Sequence, residues 1–514
     1  PENNLPTFAF CQCNPVISLY MNFKNIHHIL IIALLGIAAA LTMPSCVDES
    51  ISADTGLKLD FSTDTLQFDT VFTTIGSSTS QIKVYNPNKK NVNISAIGLG
   101  MGASSPYRIN VDGATNKNNQ FTDIELRAGD SLFIFVEVTI DPLKTNAPVF
   151  VKDSIVFLTN SNRQDVKLLA YGQDMEILRN KTILNDSTLT GEKPYLVYGD
   201  LVVDTGKTLT LNPGCRLYFH NQSSLVVYGN LIANGTREQP VLMRGDRTDR
   251  IFTDIPYNYV SNQWGGVLLL GEQGKHKLNF VTMNSGYAGV YLANQNRNER
   301  PTLEIINCRI HNFLKYGLVV QNADVLVANT EISNTGAYSV YLNGGKHTFI
   351  HTTIANFFNS TNVRIQPSSR ENYAALMIME LNRIIPMETV FENCIISGST
   401  TDEMDIMTRF SDQYHGRFSN SYIRKAKPET QPAIFNQISW YDKNKRDTVF
   451  VNTYLDSENL VYYNFRPDSV SPARNIGNLE TAKKYPFDLN GNNRLEDNKP
   501  DAGAYEWQPK SRNK

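Results

Sequence analysis

Tyr316-Gly-Leu-Val-Val-Gln321 through Asn329-Thr-Glu-Ile332 lies over Tyr338-Ser-Val-Tyr-Leu-Asn343 through His351-Thr-Thr-Ile354 without a gap. Tyr316 to Tyr338 is a step of 22 residues, and Asn329 to His351 is the same step. A period in the twenties, built of short alternating apolar runs with Asn and Gly at the corners, predicts a chain winding into stacked strands. Within each strand the parity is set by the pleat. Val290, Leu318 and Val340 point into the coil, and Leu268, Tyr291, Val319, Tyr341 and Met377 point out.

Working outward, the period extends in both directions. Tyr198-Gly-Asp-Leu201 and Tyr228-Gly-Asn-Leu231 open early coils, and Trp264-Gly-Gly-Val-Leu-Leu269, Ala288-Gly-Val-Tyr-Leu292 and Ala374-Ala-Leu-Met-Ile378 open later ones. A second strand recurs at Asn307-Cys-Arg-Ile310, Asn393-Cys-Ile-Ile396 and Asn420-Ser-Tyr-Ile423. Three short strands per turn predict a right-handed parallel β-helix, with the variable spacing taken up by insertions in the turns. The repeated Asn reads as a corner ladder, each amide turned inward and bonding its neighbours above and below. Cys308 and Cys394 share that corner several coils apart, beyond disulfide reach, and read with Cys215 as small buried hydrophobes.

Before the solenoid, strands such as Ser80-Gln-Ile-Lys-Val-Tyr85 and Ser131-Leu-Phe-Ile-Phe-Val-Glu-Val138 follow one another with turn residues between them. That spacing predicts a β-sandwich over 57–175, followed by the β-helix over 176–480 and a closing segment over 481–514. The composition agrees with an all-β protein: hydrophobic residues make 41% of the 514, charged residues 19%, and the net charge of −2 leaves no basic excess for nucleic acid. At the N-terminus, Met21-Asn-Phe-Lys24 precedes an apolar run from Ile29 to Thr42, shorter than the roughly 20 residues of a membrane span. The run ends in Pro44-Ser45-Cys46. Residues 1–20 read as upstream sequence, 21–45 as a signal peptide and 46–56 as a linker.

Three resemblances follow from these residues. Ser45-Cys46 resembles the cleavage and lipidation site of a bacterial lipoprotein, which implies a lipid on Cys46 and a membrane tether for an otherwise soluble chain. The turn series Asn86-Pro, Gly129-Asp, Ile140-Asp-Pro142 and Tyr171-Gly172 resembles Ig-like domains of the abnormal-spindle/hydin type. Asp468-Ser-Val-Ser471-Pro-Ala, Asp488-Leu-Asn-Gly-Asn-Asn-Arg494 and Asp501-Ala-Gly-Ala-Tyr-Glu-Trp507 resemble the closing segment of secreted β-helix proteins of the pectate-lyase superfamily, choice-of-anchor Q type. This last resemblance implies a surface protein that handles polysaccharide. The Asp-Ser/Thr-apolar triplets, and Asp48-Glu49 after Cys46, resemble modification and export signals of Bacteroidota. Together they imply an outer-membrane, surface-exposed monomer.

Candidate chemistry comes in three groups. Arg409, Asp412, His415 and Arg417 crowd one turn before a strand; this reads as a solvated turn, with a lyase or glycosidase site as the alternative. Asp488, Asn490, Asn492, Glu496 and Asp497 put oxygen ligands at alternating positions, but glycine stands fourth rather than sixth. A hydrogen-bonded turn is expected there, with calcium as the alternative and no other cofactor. The outward column of Tyr291 and Tyr341 reads as covered by an inserted loop or the sandwich. Its alternative is a glycan platform on which Arg297, Arg300 or Arg364 would meet acidic groups. The expected role is glycan recognition, with an acidic-polysaccharide lyase or glycosidase and a non-catalytic adhesin as alternatives.

Overall fold

The structure, a computed structural model, describes residues 50–251, 255–295, 298–358, 373–381, 385–446, 448–456 and 459–509. Cys46, Arg297 and Arg364 lie outside them. Two five-stranded sheets form the N-terminal β-sandwich. One orders Asp60–Phe61, Ser80–Tyr85, Ser131–Val138, Tyr107–Val111 and Ala114–Thr115; the other orders Thr65–Phe72, Asn162–Gln173, Val149–Thr159, Val92–Leu99 and Gln120–Leu126. Alternation fills the space between them: Ile82, Val84, Ile134, Val136, Phe157 and Leu168 are buried and pack into one core.

From Glu176 onward the chain winds into a parallel β-helix with three faces. Sheet A runs through Arg216–Phe219, Val241–Gly245, Val281–Asn284, Arg309–Phe313, Glu331–Thr335, Thr353–Asn356, Ile395–Gly398 and Tyr422–Ala426. Sheet B runs through Ser224–Val227, Gly266–Leu269, Ala288–Ala293, Tyr316–Gln321, Val340–Asn343, Leu376–Glu380 and Met404–Thr408. Sheet C runs from Ser187–Leu189 to Phe435–Asn436. The two first coils show how A and B are joined: Glu176–Ile183 and Tyr195–Val203 each bend once and serve both sheets. The bends fall at Asn180 and Gly199, both at positive φ, and a Cβ on Gly199 would lie 2.0 Å from Asn180 Oδ1. The last strand of the winding is Ser439–Tyr441, so the solenoid is shorter than the expected 176–480.

The corner between sheets C and A carries the ladder. Asn307, Asn329, His351, Asn393 and Asn420 all have φ between 46° and 57°, a region Asn tolerates by bonding locally. Asn329 Nδ2 donates to Asn307 Oδ1 at 2.7 Å, and Asn393 Nδ2 meets His351 Nε2 at 2.9 Å. One residue on, Cys308, Thr330, Thr352, Cys394 and Ser421 form a second column. The thiol of Cys308 donates to Ile306 O at 3.1 Å just as the hydroxyl of Thr330 donates to Ala328 O at 2.8 Å. The cysteines are free and buried, and burial pushes the thiols of Cys308 and Cys394 up to about 12.

Residues after Tyr441 turn back along the outside of this corner. Asn478 N donates to Asn393 Oδ1 at 2.7 Å, Arg494 Nη2 to Asn329 Oδ1 at 2.9 Å, and Ala504 N to Thr353 Oγ1 at 2.9 Å. The Asn ladder is therefore the seam on which the closing segment is laid, and its amides face that segment rather than the core. A hairpin of Phe450–Asn452 and Asn464–Pro467 completes the cover, its Phe450 and Phe465 packing with Phe357, Ala355, Ile395 and Tyr422.

Candidate functional site

The outer face of sheet A is covered at both ends and open between. Toward the first coils the sandwich packs on it: Phe72 meets Tyr218 edge-on with ring centroids 4.9 Å apart, and Thr248 Oγ1 donates to Thr70 O at 2.8 Å. Toward the last coils the hairpin and closing segment seal it. Between them lies a cleft of about 390 Å³. Its floor is the outward residues of four consecutive strands: Leu242 and Arg244, Thr282 and Asn284, Arg309 and His311, Glu331 and Ser333.

Each wall has a local cause. The insertion between Val241–Gly245 and Gly266–Leu269 is fixed by Trp264, whose Nε1 donates to Asn284 O at 2.8 Å and whose ring stacks on Phe219 at 4.5 Å. It brings Asn258 and Tyr259 over the floor. Tyr259 lies 6.4 Å from the His311 ring and stacks on Tyr462 at 5.2 Å. The hairpin supplies Tyr463, Asn464 and Arg466, and the closing segment Asn490 and Tyr505.

Charge in the cleft is uneven. Three guanidinium groups, Arg244, Arg309 and Arg466, line it with a single carboxylate, Glu331. That carboxylate is already engaged. Tyr505 donates its hydroxyl to Glu331 and accepts from Arg309 Nη2 at 2.7 Å and Nε at 3.2 Å. Arg309 lies 3.6 Å from Glu331, its side chain 43% exposed while that of Glu331 is 8% exposed. The Tyr505 oxygen that accepts from it and the Glu331 carboxylate hold the Arg309 guanidinium protonated, and burial holds the Tyr505 hydroxyl protonated. Arg309 Nη1 makes no hydrogen bond among the described residues. Arg244 donates to carbonyls, Nε to Gly245 O at 3.2 Å and Nη2 to Arg247 O at 2.5 Å, and burial lowers its pKa while Asp69, Asp246 and Asp249 lie near enough to oppose that shift. Desolvation brings His311 down to about 4, so its imidazole is neutral at pH 7. The arrangement can bind a carboxylate by Arg forks and a sugar face by Tyr259 and Tyr463.

The residues singled out from sequence fall elsewhere. Arg409, Asp412, His415 and Arg417 are exposed around a turn and a sheet C strand. Arg417 pairs with Glu392 at 3.9 Å, and Tyr414 of the same stretch turns inward to bond Thr389 at 2.9 Å. Tyr291 and Tyr341 are half-buried on sheet B in a column whose Val319 and Met377 are 2% and 1% exposed. Tyr341 Oη donates to Met379 Sδ at 3.3 Å, and Arg300 pairs with Asp324 at 3.7 Å, away from the cleft. Asp488 is spent on the turn itself: it accepts from Asn492 N at 2.7 Å, Asn492 Nδ2 at 2.9 Å and Glu506 N at 2.8 Å. Glu496 and Asp497 are exposed, Asp497 capping Lys499 N at 2.9 Å, so the five oxygen donors do not converge. Of all these, only Asn490 lines the sheet A cleft. The cleft residues carried a signal that parity could have found: Arg309 and Glu331 occupy the position two after the corner Asn on successive coils.

Residues 288–459 match a family model for the right handed beta helix region. A stretch of 82 residues is 35% identical to the protein bark beetle of Drosophila melanogaster, covering 15% of this chain, and the chain spans 3% of that relative's length. Among solved structures, a family 123 glycoside hydrolase from Clostridium perfringens, described for glycolipid glycan hydrolysis, is similar at 9% identity and a TM-score of 0.17, over 24% of this chain and 30% of that one. The ASH/PapD-like domain of human CEP192 is similar at 12% identity and a TM-score of 0.16, over 25% of this chain and 90% of that one. Dex49A from Penicillium minioluteum is similar at 10% identity and a TM-score of 0.17, over 79% and 82%.

Proposed function

We propose that the protein recognises acidic polysaccharide, with the sheet A cleft as its binding site. Cys46 carries the lipid in this reading, the Ig-like sandwich is the spacer, and the cleft faces outward from the bacterial outer membrane. The observation that carries it is the pair of guanidinium groups Arg309 and Arg466 on the cleft lining beside one carboxylate, Glu331, that Tyr505 and Arg309 already hold; Arg244, also on the lining, has Asp69, Asp246 and Asp249 near it. A uronate carboxylate matches an Arg fork, while Tyr259 and Tyr463 offer ring faces to the sugar. Hydrolysis by a carboxylate pair finds no support, because Glu331 has no second carboxylate beside it among the cleft residues.

Titrating the mature chain with polygalacturonate and with an uncharged glucan tests the reading. Binding to the first and not the second is expected, weakening as salt rises. No binding to any member of a broad acidic-glycan panel sinks it. A lyase is the second reading, with His311 on the cleft floor as the candidate to take a sugar C5 proton; its imidazole is neutral at pH 7 and hydrogen-bonded to Asn312. The released electron pair would form the C4–C5 double bond as the glycosidic C4–O bond breaks and its oxygen takes a proton. Ultraviolet absorbance of the unsaturated product decides between binding alone and elimination.

A further inference from the structure

The cleft is the inner end of a longer groove. Along sheet A one outward column runs Arg216, Leu242, Thr282, Arg309, Glu331, Thr353, Ile395, Tyr422, each opposite the next in register. Two further concavities share its residues. One is bounded by Arg237, Phe280 and Asn490 and holds Thr282 and Arg309; the other is bounded by Gly191 and Gly214, holds Arg216, Leu242 and Thr282, and carries Glu192 and Glu238 on its rim. The three share lining residues and lie side by side over the column from Arg216 to Glu331.

Exposure along that column changes abruptly. Arg216, Leu242, Thr282 and Arg309 are all partly exposed, Glu331 is 6% exposed, and Thr353 and Ile395 are at 0%. In the neighbouring column Asn284 is 3% exposed and His311 partly exposed, and beyond them Ser333 and Ala355 are at 0%. The seal is built by the closing segment, where Tyr505 bonds Glu331 and Arg309 and Ala504 N bonds Thr353 Oγ1. The groove is thus blind at Arg309–Glu331–Tyr505 and opens toward the turns at Gly191 and Gly214.

We infer that this groove admits the end of an anionic polysaccharide chain rather than its middle. Resting on the acidic-glycan reading above, this assigns the terminal acidic sugar to Arg309 and the following units to the channel that leads back to Arg216. Three ladder steps separate those two arginines, a reach of about 14 Å at the usual strand spacing. The geometry fits an extended oligosaccharide of a few units lying along the solenoid axis, its carboxylates passing Arg309, Arg237 and Arg216 in turn.

Polygalacturonate, intact and after random partial hydrolysis, titrated at constant uronate mass, tests the assignment. Binding should rise with the number of chain ends, and short oligogalacturonates should saturate the site. Arg309→Gln should weaken every oligomer by about ten-fold, whereas Arg216→Gln should weaken long oligomers and leave the dimer within about two-fold. Arg216→Gln should leave the thermal midpoint unchanged, whereas Arg309→Gln also removes a partner of Glu331 and Tyr505 and should lower it; Arg309→Lys, which keeps the charge, should bind more tightly than Arg309→Gln at every length. Binding that follows uronate mass regardless of fragmentation overturns the blind groove and leaves glycan recognition standing. Absence of binding to polymer and oligomers alike overturns both.

Discussion

At the residue scale the cleft turns on Tyr505. Its hydroxyl stands between a guanidinium and a nearly buried carboxylate, donating to Glu331 while accepting from Arg309. Tyr505→Phe keeps the ring and removes that link, leaving Ser333 donating to Glu331 Oε1 at 2.7 Å but Oε2 short of a donor in a place water reaches poorly. The expected cost is about 1–3 kcal/mol in denaturant unfolding, with Arg309 also released to wander. A variant as stable as the parent would mean that Glu331 finds another donor. Tyr505 stands inside a stretch legible as a chain-closing motif, and nothing in that stretch shows that its side chain reaches Arg309, 196 residues earlier. That contact exists only because the segment is laid back over the corner.

At the element scale the corner ladder sets how tightly the closing segment is held. Asn329 does three things at once: it keeps φ at 50°, bonds Asn307, and accepts from the buried Arg494. Asn329→Gly retains the backbone conformation and loses the side chain; Asn329→Ala loses both. The alanine variant should be less stable than the glycine variant by about 1 kcal/mol, the strain of a Cβ in the left-handed region. Equal stabilities in paired urea titrations would contradict this account of the corner. Both variants strand one donor of Arg494, whose side chain is fully buried and already leaves Nε without a partner. Each should therefore loosen 488–506 first, read as faster amide exchange there than in the sandwich. The asparagines were legible as a ladder from their spacing. Their second role, as seats for Asn478 and Arg494, was not, because no periodicity links the repeat to an aperiodic tail.

For the whole molecule, three histidines, His276, His347 and His351, are buried by the winding, and a fourth, His311, is partly desolvated on the cleft floor. His276 and His311 are brought down to about 4, His347 to about 3, and His351 well below its ordinary value, all chiefly by desolvation. Their folded pKa values lie below the unfolded value near 6.5, so their contribution to stability is complete above that pH and is lost as pH falls toward 4. Each histidine contributes a slope of about 1.4 kcal/mol per pH unit in that window. Glu506 works oppositely. Burial pushes it up to about 8, so its contribution is complete below the unfolded value of 4.5 and is lost as pH rises through 8. Between pH 6.5 and 5 the four histidines outweigh one carboxyl, and the unfolding midpoint in urea should fall steeply. A flat profile across that range would show that these imidazoles are charged in the native state.

The sequence alone determined the winding and its parity, since a 22-residue period with alternating apolar positions has few other ways to bury its face. It also determined that the cysteines and corner asparagines serve structure, because each recurs in step with the repeat. What covers which outer face was decided only by tertiary structure. The outward residues of sheets A and B look equally exposed when read by parity, and the Tyr291–Tyr341 column reads as covered, with a glycan platform there as the alternative. Folding instead lays the sandwich and the closing segment on sheet A and leaves a gap of a few coils between them, floored by Arg309, His311 and Glu331. The covering elements come from opposite ends of the chain, and local periodicity carries no information about contacts at that separation.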